Sequence, residues 1–190
     1  MRVKAQSILN ALSWVEQTHG QRAVAEVLAE CSQAVRDRYI ASIAIEWIPL
    51  SEFVEVLGVC EKRLGKGDGR IAEQIGAAGA RANLRGATQR AAFYVLKPSF
   101  LGKRVAGLWD QYNDEGAMTI HEARPELVRV EVVGIVKPDW LFCCTLTGWC
   151  GEFALATGSI GARPVHTECR AKGAARCLWD VRPIGGNFAA

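Results

Sequence analysis

The stretch His166-Thr-Glu-Cys169-Arg-Ala-Lys-Gly-Ala-Ala-Arg-Cys177 constrains the fold more than any other region of the chain. Cys169 and Cys177 flank the turn dipeptide Lys172-Gly173, and the segments running out from Pro164 and Cys177 alternate in the manner of β-strands. A hairpin therefore brings the two thiols together. His166, three residues before Cys169, reaches the same point if its strand bends or bulges. Cys143 lies in a separate apolar stretch, Trp140-Leu-Phe-Cys-Cys-Thr-Leu-Thr-Gly-Trp149, which must pack over the hairpin to join them. Three sulfurs and one imidazole make a closed tetrahedron, the shell of a structural zinc. The competing reading is two cysteines buried in a hairpin beside an unrelated histidine. A metal with four protein ligands keeps no position for water, so hydrolytic chemistry is disfavoured at such a site.

Ahead of this region the pattern is helical. Ile8, Leu9, Leu12 and Val15 form one stripe over residues 3–18, and Gly20 stops it. Val24, Val27 and Leu28 mark a second helix that breaks near Ser32 and resumes through Val35 and Tyr39. Pro49 can open a helix running through Phe53, Val56, Leu57 and Cys60 to Leu64. The cluster Gly65-Lys-Gly67-Asp-Gly69 has no strand before it and lacks the Walker Lys-Ser/Thr, so it reads as a connector in which Asp68 caps the next helix rather than as a phosphate loop. Residues 70–86 carry Gly76, Ala77, Gly79 and Ala80, small enough to admit another helix closely. Helices are expected over about 88–96 and 99–112, strands over 118–124 and 127–136, a helix from Trp140 to about Thr157 with Asp139 as its cap, and a final hairpin over 163–182. Helices followed by β-β-α-β-β describe an α+β fold with one antiparallel sheet of about four strands.

With 190 residues the expectation is one domain over 1–182, in which a helical N-terminal segment, residues 1–45, leads into a ligand-binding core, residues 46–182, with a loose tail over 183–190. The 23 basic and 20 acidic residues form no run, which excludes a nucleic-acid footprint. No apolar segment reaches a membrane-spanning length, and Met1-Arg-Val-Lys-Ala lacks the pattern of a signal peptide, so a cytoplasmic location is expected. Seven cysteines, an odd number, argue against a complete disulfide framework. Cys31, Cys144 and Cys150 are assigned to core packing.

From Trp109 onward the residues resemble a known group. Cys143 followed by Gly148-Trp149, then Gly158, then His-x-x-Cys-x₇-Cys closing on an aromatic strand, is similar to the 4-vinyl reductase or hydrocarbon-binding domain, which shares its fold with the core subunits of the TRAPP tethering complex. Trp47-Ile-Pro, Gly-Lys-Gly-Asp and Trp109-Asp-Gln-Tyr resemble more specifically a paralogous family known chiefly from myxobacteria. The resemblance implies a zinc held by Cys143, His166, Cys169 and Cys177, with His166 standing where the related phenol sensors carry glutamate. It also implies dimerisation, for which the small-residue helix 70–86 offers a surface.

No Gly-x-Ser-x-Gly elbow and no His-Glu-x-x-His is present, and a Cys150–His121 pair is the remaining catalytic combination. The expected function is therefore a non-catalytic sensor for a small apolar or aromatic ligand, lined by Tyr94, Trp109, Trp140 and Trp149, with structural zinc, a homodimeric state and a protein signalling partner. The rival reading is a protein–protein interaction module with an exposed helix face and merely packed cysteines.

Overall fold

The computed structural model describes residues 1–84, 98–156 and 161–184, with the side chains of 98–104 and 156 left aside. The expected helix 88–96, Tyr94 and the last six residues of the tail lie outside the described residues. The first departure from the helical reading comes at once. Arg2–Lys4 is a strand, β1, paired antiparallel with β2 (Trp47–Pro49). Val3 and Ile48 face each other in this ladder, both buried, so an apolar pair between strands separated by three helices outweighs the helical stripe at its first residues.

Helix α1 (Gln6–His19) follows and ends at Gly20, whose φ of 84° is open only to glycine at low cost. Next come α2 (Gln21–Glu30) and α3 (Gln33–Ala41), split where the sequence suggested. Ser32 is the reason: it takes an extended conformation and its hydroxyl accepts from the Val35 amide, starting a new helix instead of continuing the old one. Helix α4 (Leu50–Leu64) starts directly after Pro49, and α5 (Arg70–Asn83) starts after the glycine-rich connector, where Asp68 accepts from the Arg70 amide. The buried Glu61 accepts from the Ala72 amide and so ties α4 to the first turn of α5.

Helix α6 (Pro98–Tyr112) leads into β3 (Ala117–Arg124) and β4 (Leu127–Val133). Helix α7 (Trp140–Ala156) begins at Asp139, whose carboxylate accepts from the Leu141 and Phe142 amides. β5 (Ala162–Glu168), a short 3₁₀ turn (Arg170–Lys172) and β6 (Cys177–Pro183) complete the chain. The sheet order is β3-β4-β6-β5, all antiparallel, which leaves β3 and β5 at the edges. Each edge strand carries a register shift, at Ile120/Glu122 and at His166/Glu168.

Period-two alternation sorts the sheet faces. Val130, Val132, Trp179 and Val181 point inward and are buried, while Arg129 on the outer face holds Asp180 at 2.8 Å and Glu122 at 2.9 Å. Helix α7 lies between this sheet and the N-terminal helices, touching α4, α5, β5 and β6. It is apolar around most of its circumference because packed elements cover most of its sides. The small residues of α5 meet α7 backbone to backbone. A Cβ added at Gly76 would stand 1.9 Å from the Thr145 carbonyl oxygen, and one added at Gly148 would stand 1.9 Å from that of Glu73. The surface that suggested a dimer is thus used within the chain at Gly76. Among the described residues no helix is long and apolar enough to cross a membrane.

Candidate functional site

Helix α7 presents three faces to three different surroundings. One face, with Phe142, Thr145, Leu146 and Trp149, lines a partly open cavity of about 90 Å³ whose other walls come from α1, α4, α5, α6 and β3. Its floor is apolar and buried: Phe53, Ile75, Trp109, Met118 and Phe142. Its mouth is polar, with Ser7, Asn10, Asn83, Tyr112 and Asn113. The Trp109 indole donates to the Glu115 carbonyl at 3.1 Å and meets Phe142 edge-on, which fixes the ring in the cavity wall. Trp149 is stacked on Phe153 at 5.0 Å. Burial pushes the Tyr112 phenol up, so the mouth stays uncharged.

The second face of α7 carries Cys143 onto the hairpin. Its sulfur lies 3.9 Å from that of Cys177, and with His166 and Cys169 the donor atoms fall within 4.8 Å of one another. The register shift after His166 supplies the bulge this approach requires. The His166 ring stacks flat on Trp179 at 4.1 Å, and its buried Nε2 has no hydrogen-bond partner. The Cys143 and Cys177 sulfurs share a hydrogen bond in which either can donate, and it draws the Cys177 thiol below its ordinary value, helped by His166 and by the Arg170 amide at 3.4 Å, while burial opposes. The same hydrogen bond, with burial, raises Cys143. Such a set of donors can hold a metal ion and is equally a hydrogen-bonded thiol cluster.

The third face places Trp140 and Cys144 in an open cleft of about 580 Å³, where Lys172 sits 4.4 Å above the Trp140 ring. The structure therefore brings Trp109 and Trp149 to one cavity, and Trp140 to the cleft on the far side of the helix. His121, half exposed on β3, lies 3.6 Å from Glu131, and among the described residues no hydrogen bond joins it to the buried Cys150 on α7. Sequence reading missed Asn10, Ile75, Asn83, Met118, Phe142 and Leu146. The spacing of Phe142, Leu146 and Trp149, four and then three residues apart, was the available signal for one helix face.

No protein-family model matches the chain, and no curated protein is similar to it in sequence. Solved structures are similar throughout. An H-NOX protein from S. oneidensis in the Fe(II) ligation state superposes with a TM-score of 0.75 at 13% identity, covering 98% of this chain and 100% of that one. The same organism's H-NOX protein in the Fe(II)NO state gives 0.74 at 13%, covering 96% and 99%. Fe(II) unliganded H-NOX from K. algicida gives 0.70 at 10%, covering 95% and 96%. The chain has the H-NOX fold.

Two expectations are corrected by this likeness. The resemblance to the 4-vinyl reductase, TRAPP-core and myxobacterial families does not hold, because the H-NOX likeness runs through the N-terminal helices as well as the C-terminal half. A Cys-plus-hairpin motif is a local arrangement, and local motifs do not decide a fold. Zinc as the chain's cofactor is corrected as well, since the H-NOX structures are described with Fe(II) and, in two cases, with haem distortion or haem redox potential.

Haem in turn finds no fit among the described residues of the cavity. Haem iron takes His, Cys, Tyr or Met as its axial ligand. The chain has three histidines and seven cysteines, all among the described residues, and none lines the cavity. Burial pushes the Tyr112 phenol up, and Met118 is the one other candidate among the described lining residues. No lysine or arginine among the described lining residues is placed to take a propionate, and about 90 Å³ is well below the ~300–1,000 Å³ of sites for drug-sized ligands.

Proposed function

We propose that this chain is a non-catalytic small-molecule sensor module, in which ligand enters the cavity between Trp109 and Trp149. The observation that carries the reading is the position of that cavity: α1, α4, α5, α6, α7 and β3 all contribute to its wall. A ligand there contacts both the N-terminal helices and the sheet. Occupancy can then favour one seating of the helices over another, which is what a sensor requires. The shared fold supports the reading, because the H-NOX proteins from S. oneidensis are described in ligation states with NO and CO. Cys143, His166, Cys169 and Cys177 serve in this reading to fix α7 on the hairpin, so that movement of α7 reaches the sheet. A cytoplasmic setting, in which the seven thiols stay reduced, suits that role.

Tryptophan fluorescence tests the proposal. Trp109 and Trp149 line the cavity, whereas Trp14, Trp47, Trp140 and Trp179 lie elsewhere. A small-molecule panel should change the emission of the wild-type chain, and the change should vanish in the double variant Trp109→Phe, Trp149→Phe. A response that survives in the double variant would move the ligand out of the cavity and end the reading.

A further inference from the structure

The sensor reading leaves open what kind of molecule the cavity takes. We infer that it binds, without iron or porphyrin, a compact neutral molecule of about three to five heavy atoms with an apolar body and one acceptor oxygen, the class of short ketones and alcohols. This inference rests on the reading of the cavity as the ligand site and adds the chemistry of its occupant.

Size is the first argument. A water molecule claims about 30 Å³ in the liquid and an engineered apolar cavity of about 150 Å³ accepts benzene, so ~90 Å³ suits something smaller than a six-membered ring. Charge is the second. No Asp, Glu, Lys or Arg is among the described lining residues, and moving an ion into an apolar site without a partner is strongly unfavourable.

The third argument is a hydrogen-bond account of the mouth. The Asn10 carboxamide is committed at both ends, accepting from Gln6 at 2.8 Å and donating to Asn83 Oδ1 at 3.4 Å. Asn113 donates to the Trp109 carbonyl at 3.2 Å. The Asn83 amide nitrogen and the Tyr112 hydroxyl remain, with no partner among the described residues. Both can donate, and both stand at the rim of an apolar floor. A ketone or alcohol oxygen at the mouth accepts from them while its alkyl chain covers Phe142 and Met118. Iron is not needed to hold such a molecule, and no histidine or cysteine lines the cavity to hold iron.

The full-length chain labelled with ¹³C at the methionine methyls provides the test. It has two methionines, and Met118 is buried in the cavity wall while Met1 reports any non-specific effect. The probes are 2-butanone, its charged counterpart propionate, xenon and haemin. Saturable movement of the Met118 signal with 2-butanone and none with propionate is expected. Tyr112→Phe or Asn83→Ala should weaken 2-butanone by about tenfold, the size of one lost hydrogen bond of ~1.4 kcal/mol, and leave xenon unchanged. Gly79→Leu should block both probes, because a Cβ there makes only ordinary contact with Asn10, at 3.6 Å, and the longer side chain grows across the mouth. Propionate binding as well as 2-butanone, or stoichiometric haemin binding with a Soret band that a Tyr112→Phe or Met118→Leu variant alters, would overturn the inference while leaving a ligand cavity in place. Xenon entering alone would overturn the acceptor class. If none of the four probes moves Met118, the inference and the sensor reading fall together.

Discussion

Replacing Gly76 by alanine tests the packing on which the cavity and the thiol cluster both depend. The new methyl would lie 1.9 Å from the Thr145 carbonyl oxygen and 2.6 Å from its carbonyl carbon and Cα. Ordinary contact begins near 3.4 Å, so α7 would have to withdraw by about 1.5 Å, the difference of those distances. The obstructing atoms are backbone and cannot rotate away. Alanine gains roughly 1 kcal/mol over glycine in a helix interior, and overpacking of a tight contact costs ~1–3 kcal/mol, with further loss if α7 lifts from the hairpin. The net expectation is a loss of up to about 2 kcal/mol, and more if α7 lifts. Gly79→Ala, one turn along the same helix, meets only Asn10 at 3.6 Å and keeps the propensity gain. The two variants should therefore differ by ~1–3 kcal/mol in urea unfolding followed by far-UV circular dichroism, with midpoints in thermal melts separated by roughly 2–12 °C for a chain of this size. Equal stability of the two variants would refute the reasoning, since the residue type and helix are the same and only the neighbour differs.

Thr147→Val should cost about 1–3 kcal/mol despite its matched shape, because the fully buried Trp179 indole donates to the Thr147 hydroxyl at 2.9 Å and would be left without an acceptor; chemical denaturation measures it. Asp139→Ala should cost roughly 0.5–2 kcal/mol in the same assay through loss of the acceptor for the Leu141 and Phe142 amides. Alkaline pH should destabilise the fold. Burial pushes the Cys60 and Cys150 thiols up to about 12, so above pH ~9 the unfolded chain releases protons that the folded chain keeps, and each thiol removes about 1.4 kcal/mol per pH unit until its folded value is reached. Urea midpoints that stay constant between pH 8 and about 11 would contradict this.

The features of the fold that were legible in sequence are those fixed by local chemistry. Ser32, Gly20, Pro49 and Asp139 each satisfy or forbid a backbone group within a few residues, and each boundary they imply is present. The close approach of another helix to residues 70–86 was readable from Gly76, though not its partner, since only tertiary structure selects α7. Residues 3 and 4 were misread as helix because β1 is stabilised by Ile48, far along the chain. The site was half legible for a reason of periodicity. Trp140 and Trp149 are nine residues apart, about 180° around a helix at 3.6 residues per turn, so they could not share a cavity. On a helix apolar around most of its circumference, hydropathy marks no single inward face, and this hid the separation. The 4-vinyl reductase resemblance failed because it rested on a cysteine pattern compatible with more than one set of surrounding helices.

The two edge strands bear on how a signal could leave the domain. β5 has Pro164, which offers no N–H, beside Arg163, and it kinks after His166; β3 kinks after Ile120 and ends in charged Arg124. A partner that reads its target by adding a strand needs a straight, open rim of amides and carbonyls, and neither border supplies one. The sheet is thereby protected from continuing into neighbouring molecules. A protein partner would have the helical surfaces left to it, the same surfaces whose seating the proposed ligand site would control.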